Sequence, residues 1–290
     1  MLRRFLLSAI VAGAALLGVL PLSAQQPPDP NVPIVFEAAS VKPNKSGDGN
    51  AMIRRQPGGR FNAVNVPVRF LITFAYQIQG FQLVGGPGWI ANDRFDIIAK
   101  MEGDPPPMPP GSAPDHMMLA MRSLLAERFT LVVRRETRDL DIYALIMARA
   151  GGKPGPALKP STIDCAAEMK GPRAGGPPPR PNDPVRCGSR QNFGRIQFSG
   201  MPLSVFANGI AGQVGRMVVD RTGLSGTWDF ELNFAPERPL GAPGAEPPPV
   251  DPNAPTLFTA VQEQLGLKLD PTKGPVEVLV IDSLQQPTAE

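Results

Sequence analysis

Asp229 and Glu231, in TWDFEL, have a spacing that hydrolytic chemistry could use. So do Asp139 and Asp141, in RDLDI. Residues two apart on a strand share a face, so each pair would present both acids on one side. Trp228, Phe230 and Leu232 would take the other side of the first pair. Glycoside hydrolysis needs two carboxylates across a cleft, one with a raised pKa. Adjacent acids on one strand fit a solvated sheet face better, so a hydrolase is the weaker reading. Other reaction centres have less to build on. The one histidine, His116, follows the candidate helix cap Asp115, and neither HExxH nor a Cys/His cluster occurs. The SGDGN run at Ser46–Asn50 offers one carboxylate, Asp48, and is shorter than a calcium loop. GxSxG and S-x-x-K are absent, and a serine nucleophile needs a base. GGPG at 85–88 lacks the spacing of a phosphate-binding loop. No catalytic residue, metal site or cofactor is expected.

The most distinctive local sequence is VVDRTGLSGTWDF, Val218 to Phe230. Asp220 can hold a turn by accepting backbone N–H groups, and Gly223 and Gly226 allow unusual dihedrals. Arg221 can bind a carboxylate ligand or pair with a nearby acid. With Trp89 of the turn GGPGW, Asp220 and Arg221 make up the candidate ligand-binding set, placed in a cleft between two halves of the chain. Met117, Met118 and Met121 could line an adaptable groove. Their helical spacing points instead to core.

The two halves come from an internal repeat. Gly59–Ala99 aligns without a gap to Gly194–Phe234, at an offset of 194 − 59 = 135 throughout, so that Phe95 meets Phe230. Further on, Phe129 meets Leu265 and Ile142 meets Val278 at an offset of 136. In the first copy, Ile34–Lys42 and Phe61–Val66 read as strands. A helix enters at Pro67 with Asn65 as its candidate cap, and Gly80 ends it in a left-handed conformation. Val68, Leu71, Ile72, Ala75 and Ile78 form one face, and Phe70 and Phe74 add a second apolar side, so deep burial is expected. Strands Phe81–Val84 and Arg94–Lys100 follow, then a helix from Asp115 to about Arg128. Phe129–Arg135 and Leu140–Ala148 read as a hairpin. The second copy repeats this order, with a helix from Pro202 and another from Leu257 capped by Thr256. Its last hairpin is Leu267–Leu269 with Val276–Ile281. The pattern is α+β, with helices packed on mixed or antiparallel sheet. The expected organisation is a first repeat at 34–149, a Pro/Gly-rich connector at 150–190 and a second repeat at 191–284. Further proline loops fall at 102–114 and 236–255.

Residues 1–24 read as a signal peptide, with Arg3 and Arg4 before the apolar run Phe5–Leu20 and Ala24 before the cut. The run is shorter than the ~20 residues of a spanning helix, and no later segment could span. The mature protein is expected in the periplasm or outside the cell, with no membrane span. Losing two arginines leaves 29 − 2 = 27 bases against 26 acids. That balance gives no reason to expect nucleic acid as a partner. Cys165 and Cys187 lie 187 − 165 = 22 positions apart in the connector. In an oxidising compartment they are expected to pair.

VVDRTGLSGTWDFEL at 218–232, FEAASVKPN at 36–44 and LLAERFTLVVRRETRDLDIYAL at 124–145 resemble an exported family of unknown function that is abundant in soil Acidobacteria. Related domains occur fused behind membrane metallopeptidases of the β-lactam-sensor type. The repeated unit is also similar, more weakly, to the short N-terminal domain of secretins and TonB-dependent receptors. The resemblance implies contact with a ligand or protein in the periplasm and supplies no catalytic residues. The expectation is a non-enzymatic binding or protein-interaction module. The alternatives are a cell-envelope hydrolase with an unrecognised carboxylate site, or an accessory subunit of a membrane sensor or protease.

Overall fold

The computed structural model describes residues 33–47, 51–101, 114–149, 151–165, 185–192, 194–235 and 253–287. The expected signal segment, Asp48 and most of the proline loops at 102–114 and 236–255 lie outside the described residues. The fold is α+β, with helices on mixed and antiparallel sheets.

Two long strands form its axis. β6 (Val132–Met147) and β12 (Leu267–Ser283) pair antiparallel along nearly their whole length. Each was expected as a hairpin, with ETRD and DPTKGP between the strands, the second rich in turn residues. Each is a single strand. The prolines are tolerated for a local reason. The Tyr143 N–H donates away from β12, to the Met217 carbonyl at 2.8 Å. Pro271, opposite Tyr143, therefore sits in a pair without ladder hydrogen bonds, and its missing N–H faces the outer edge of β12. Pro275 shares that parity. The next strand, β4 (Leu83–Gly85), covers this edge only at Leu279–Ile281, in parallel. On the other side β10 (Val218–Asp220) runs parallel to β6. The central sheet thus has the order β10-β6-β12-β4.

Two antiparallel sheets complete the architecture. The first contains β1 (Ala38–Asn44), β5 (Arg94–Lys100), β3 (Arg60–Pro67) and β2 (Met52–Gln56), in that order. The other contains β7 (Lys159–Pro160), β11 (Trp228–Asn233), β9 (Arg195–Met201) and β8 (Gly188–Asn192). So the stretch 150–190, expected as connector alone, supplies β7 and the start of β8. β2 and β8 escaped the pattern because they are edge strands without a buried residue, MIRRQ and GSRQN.

Helices fill the space between sheets. α1 (Val68–Tyr76) and α3 (His116–Phe129) share a core with Phe61 and Ile97 of the first sheet and Leu279 and Ile281 of the central one. α4 (Leu203–Val214) and α5 (Leu257–Leu265) do the same with Phe198, Phe230, Leu145 and Leu269. Each large apolar side chain so buried is worth roughly 1.5–3 kcal/mol. Asp115 caps α3 by accepting the Met118 N–H at 2.9 Å, and Thr256 caps α5 through the Thr259 N–H at 3.2 Å. Met117 and Met121 are core residues of α3.

α1 departs from expectation at both ends and on one face. Pro67 occupies the N-cap position with no side-chain bond, and Asn65 does not cap. Asn65 is left-handed (φ 57°), and its N–H donates to Asp96 Oδ1 at 2.8 Å across a bulge between β3 and β5. The helix ends at left-handed Gln77 (φ 53°), not at Gly80, which starts a 3-10 turn over Gly80–Gln82. The N–H groups of Gln77 and Ile78 close the helix on the carbonyls of Phe74 and Thr73. Phe70 is 51% exposed, so the helix is not buried all round. In place of a simple GGPGW turn, a one-turn helix, α2 (Trp89–Asn92), leads into β5.

The β9–β11 ladder repeats the Asn65 device. Gly200 is left-handed (φ 68°), and its N–H donates to Asp229 Oδ1 at 2.8 Å across a bulge. The two left-handed residues lie 200 − 65 = 135 apart, but the two aspartates lie 229 − 96 = 133 apart. The ladders agree: Val66 faces Phe95, and Met201 faces Trp228. Phe95 therefore holds the place of Trp228, not of Phe230 as the gapless alignment had it. An even slip keeps the same set of side chains facing the core. The edge strands correspond as well. Pro43 of VKPN faces Phe95, and Pro160 of LKPS faces Trp228.

Candidate functional site

The structure does not bring the expected ligand-binding set together. Trp89 opens α2 and packs edge-on against Phe95, with ring centroids 6.4 Å apart. Asp220 Oδ1 accepts from the Thr222 N–H at 3.0 Å and the Thr222 hydroxyl at 2.8 Å, which fixes the turn after β10. Arg221 donates its backbone N–H to the Leu145 carbonyl at 2.8 Å. Its side chain is exposed, and among the described residues no carboxylate pairs with it. The two turns lie at opposite edges of the central sheet. Asp220 lies beside Leu145, whereas Gly85 lies beside Ile281, which faces Val133. Leu145 and Val133 are 145 − 133 = 12 residues apart on one strand, roughly 40 Å at ~3.3 Å per residue. Among the described residues the two turns share no cleft.

The carboxylate pairs are also accounted for. Asp139 and Asp141 are exposed on the central sheet. Asp229 is not an ordinary solvated acid: it is half-buried and ties the bulge, accepting the Ser199 hydroxyl at 2.9 Å besides the Gly200 N–H. It lines a pocket of about 410 Å³ together with Glu231, Lys159 and Gln197. Glu231 accepts from Arg195 at 2.5 Å and from Asn233 at 3.2 Å. The Arg195 hydrogen bond holds its carboxyl below the usual range, outweighing the opposite effect of burial. A general acid needs the reverse. Because the folded pKa is depressed, this pair stabilises the protein above the unfolded carboxyl pKa of about 4.3, and the contribution fades as pH falls through the folded value. Arg195→Ala should therefore cost up to about 1 kcal/mol at neutral pH, the ceiling for exposed pairs. Urea midpoints measured from pH 7 to pH 3 should show the variant and parent converging below pH 4.

His116 is the first residue of α3, and no cluster of three metal-ligating side chains forms among the described residues. Cys165 and Cys187 form the expected disulfide, with Cα atoms 5.6 Å apart. Its Cys165 sulfur lies against Gly200.

The remaining feature is a groove of about 500 Å³ beside α1. Pro67, Phe70, Phe74, Ile78 and Ala91 give it an apolar lining, and Arg69, Gln79 and Gly80 a polar end. Arg69 donates to the Gly80 carbonyl at 2.6 Å. Arg55 of β2 reaches over the Phe74 ring at 5.0 Å and pairs with Asp115 at 2.5 Å. The corresponding surface of α4 has no such groove residues. At 135 positions beyond Phe70, Phe74 and Ile78 stand Val205, Gly209 and Gln213. Gln191 of β8 lies across them, donating to the Gly209 carbonyl at 3.3 Å and accepting from Gln213 at 2.9 Å. Gln191 and Arg55 thus cover like positions on the two helices, and the contrast lies one turn earlier, where Phe70 is half in water and α4 carries the smaller, half-buried Val205. In the sequence Phe70 and Phe74, four residues apart, form a second apolar side of α1, and Ile78, expected on the core face, follows the helix end and lines the groove while packing on the core.

A family model described as "Protein of unknown function (DUF3738)" matches residues 69–284, well over half of the chain. The match starts within α1, so β1, β2 and β3 precede it. No curated protein and no solved structure matches the chain. Among the described residues, no helix is long and apolar enough to cross a membrane.

Proposed function

The chain belongs to this DUF3738 family, and we propose that it is an exported, internally duplicated binding or protein-interaction module whose site is the α1 groove. The observation that carries the reading is the half-exposed Phe70. A phenyl ring left in water costs burial that the fold has available elsewhere. At the position 135 residues on, α4 carries the smaller Val205, so the exposed ring of Phe70 is surplus to folding.

Duplication is supported by the paired bulges, the matching edge strands and the central register. Ile142 faces Thr272, and 136 positions on, Val278 faces Glu136, as a two-fold relation between β6 and β12 requires. Each half also lends its short parallel strand to the long strand of the other, β4 to β12 and β10 to β6. Export is supported by the charged and apolar start of the sequence and by bonded cysteines, which suit an oxidising compartment. The hydrolase alternative loses its motivation, because Asp229 is a bulge tie and Glu231 is held ionised.

The test is thermal unfolding of the oxidised mature protein against peptidoglycan fragments, oligosaccharides, peptides, β-lactams, amphiphiles and divalent ions. A ligand at about 100 times its Kd adds ~2.7 kcal/mol. The expected result is a shift that Phe70→Ala abolishes. A shift of equal size in the variant would place the site elsewhere. No shift with any compound, together with no protein crosslinked from a photoreactive residue at position 70, would sink the proposal.

A further inference from the structure

We infer that the α1 groove takes a small amphiphilic carboxylate, with its apolar body on Phe70, Phe74 and Ile78 and its anionic end on Arg69. This rests on the groove being the binding site. A volume of about 500 Å³ lies within the roughly 300–1,000 Å³ of small-molecule sites, which are mostly apolar with a few placed polar groups. Here the placed group is a cation. Among the described residues Arg69 is the one charged residue lining the groove, and no acid lines it. Its bond to the Gly80 carbonyl anchors the guanidinium at the groove's polar end. One hydrogen bond leaves most of the five guanidinium donors available for a planar anion. Among the described residues no carboxylate pairs with Arg69. Arg55, the neighbouring cation, is committed to Asp115 and to the Phe74 ring.

The comparison between the two halves adds a separate argument. Position 69 + 135 = 204 is Ser204. The half that lacks the aromatic stripe also lacks the cation. Apolar surface and positive charge are thus present together or absent together, as expected if they serve one ligand with two chemically distinct ends.

The experiment is calorimetric titration of the oxidised mature protein with decanoate, octyl glucoside and decyltrimethylammonium, each below its critical micelle concentration. Decanoate should bind most tightly, and the cationic amphiphile at least tenfold more weakly. Arg69→Gln should weaken decanoate at least tenfold while leaving octyl glucoside unchanged, and Arg69→Lys should recover most of the loss. Phe70→Ala should weaken decanoate and octyl glucoside alike. Circular dichroism and unfolding midpoints confirm that each variant is folded. If Arg69→Gln leaves decanoate affinity unchanged while Phe70→Ala abolishes binding, the anionic class is wrong and the groove stands. If Phe70→Ala also changes nothing, both readings fail. If none of the three amphiphiles binds the parent protein, the amphiphilic class is wrong.

Discussion

Gly200→Ala should destabilise the protein by about 3 kcal/mol, combining a left-handed backbone cost of ~1–2 kcal/mol with an overpacking cost of ~1–3 kcal/mol. Gly200 has φ 68°, and a Cβ built there would lie 2.3 Å from the Cys165 sulfur. That sulfur cannot swing aside, because it is bonded to Cys187. The neighbouring Ile163 side chain, 3.5 Å from the same Cβ, closes the other escape. The corresponding residue of the first sheet shows which part is backbone. Asn65 holds the same left-handed conformation with a side chain, and no disulfide lies over it. Asparagine tolerates this conformation better than alanine. Two measurements separate the causes. In a Cys165→Ala/Cys187→Ala background, Gly200→Ala should cost only its backbone share, about 1–2 kcal/mol. Gly200→Asn in the parent should remain costly, because the sulfur clash persists. Equal losses in both backgrounds would show that the disulfide is not what restricts the site. Urea unfolding followed by circular dichroism gives all five free energies.

Much of this architecture was legible because it follows from short-range patterns. The α+β class, the helices capped by Asp115 and Thr256, and the core face of α1 follow from periodicity and capping chemistry. What was not legible depended on partners distant in sequence. Pro271 and Pro275 read as turns until β6 supplies a ladder in which their missing N–H groups face outward. Asn65 read as a helix cap because Pro67 follows, yet its N–H belongs to Asp96 on another strand. β2 and β8 carry no buried residue, so no alternation marked them.

The expected ligand set is scattered for a related reason. Trp89, Asp220 and Arg221 stand out by their side-chain chemistry, but their spacing in sequence says nothing about which turns meet. Parallel pairing of β4 to β12 and β10 to β6 sends the two turns to opposite edges. Phe70 was legible as apolar and was assigned to core, since an apolar residue is by default buried. Only the folded helix shows that Val68, Leu71, Ile72 and Ala75 already fill the core face and leave Phe70 outside. The difference stands in the sequence at an offset of 135, Phe70 against Val205 and Arg69 against Ser204.

Removing the disulfide with Cys165→Ala/Cys187→Ala should cost about 3 kcal/mol, the chain-entropy value for a loop of this length. The closed loop spans 22 positions between β7 and β8, the two edge strands of their sheet. Each edge strand is held only by one neighbour, β7 by two residue pairs with β11 and β8 by five with β9. Such short edges contribute little by themselves, so the bridge is what keeps both ends of a long insertion in register with the bulge at Gly200. Loss of the bridge should therefore act first on this sheet and leave the first sheet intact. Amide hydrogen exchange with and without reductant checks both parts. Protection should fall in β7, β8 and β9, and remain in β3 and β5, while the global midpoint drops. A variant with unchanged midpoint and unchanged exchange in β9 would show that the bridge lies outside the cooperative unit. A uniform loss across all three sheets would show instead that the two halves unfold as one, which the shared β6–β12 ribbon makes the competing outcome.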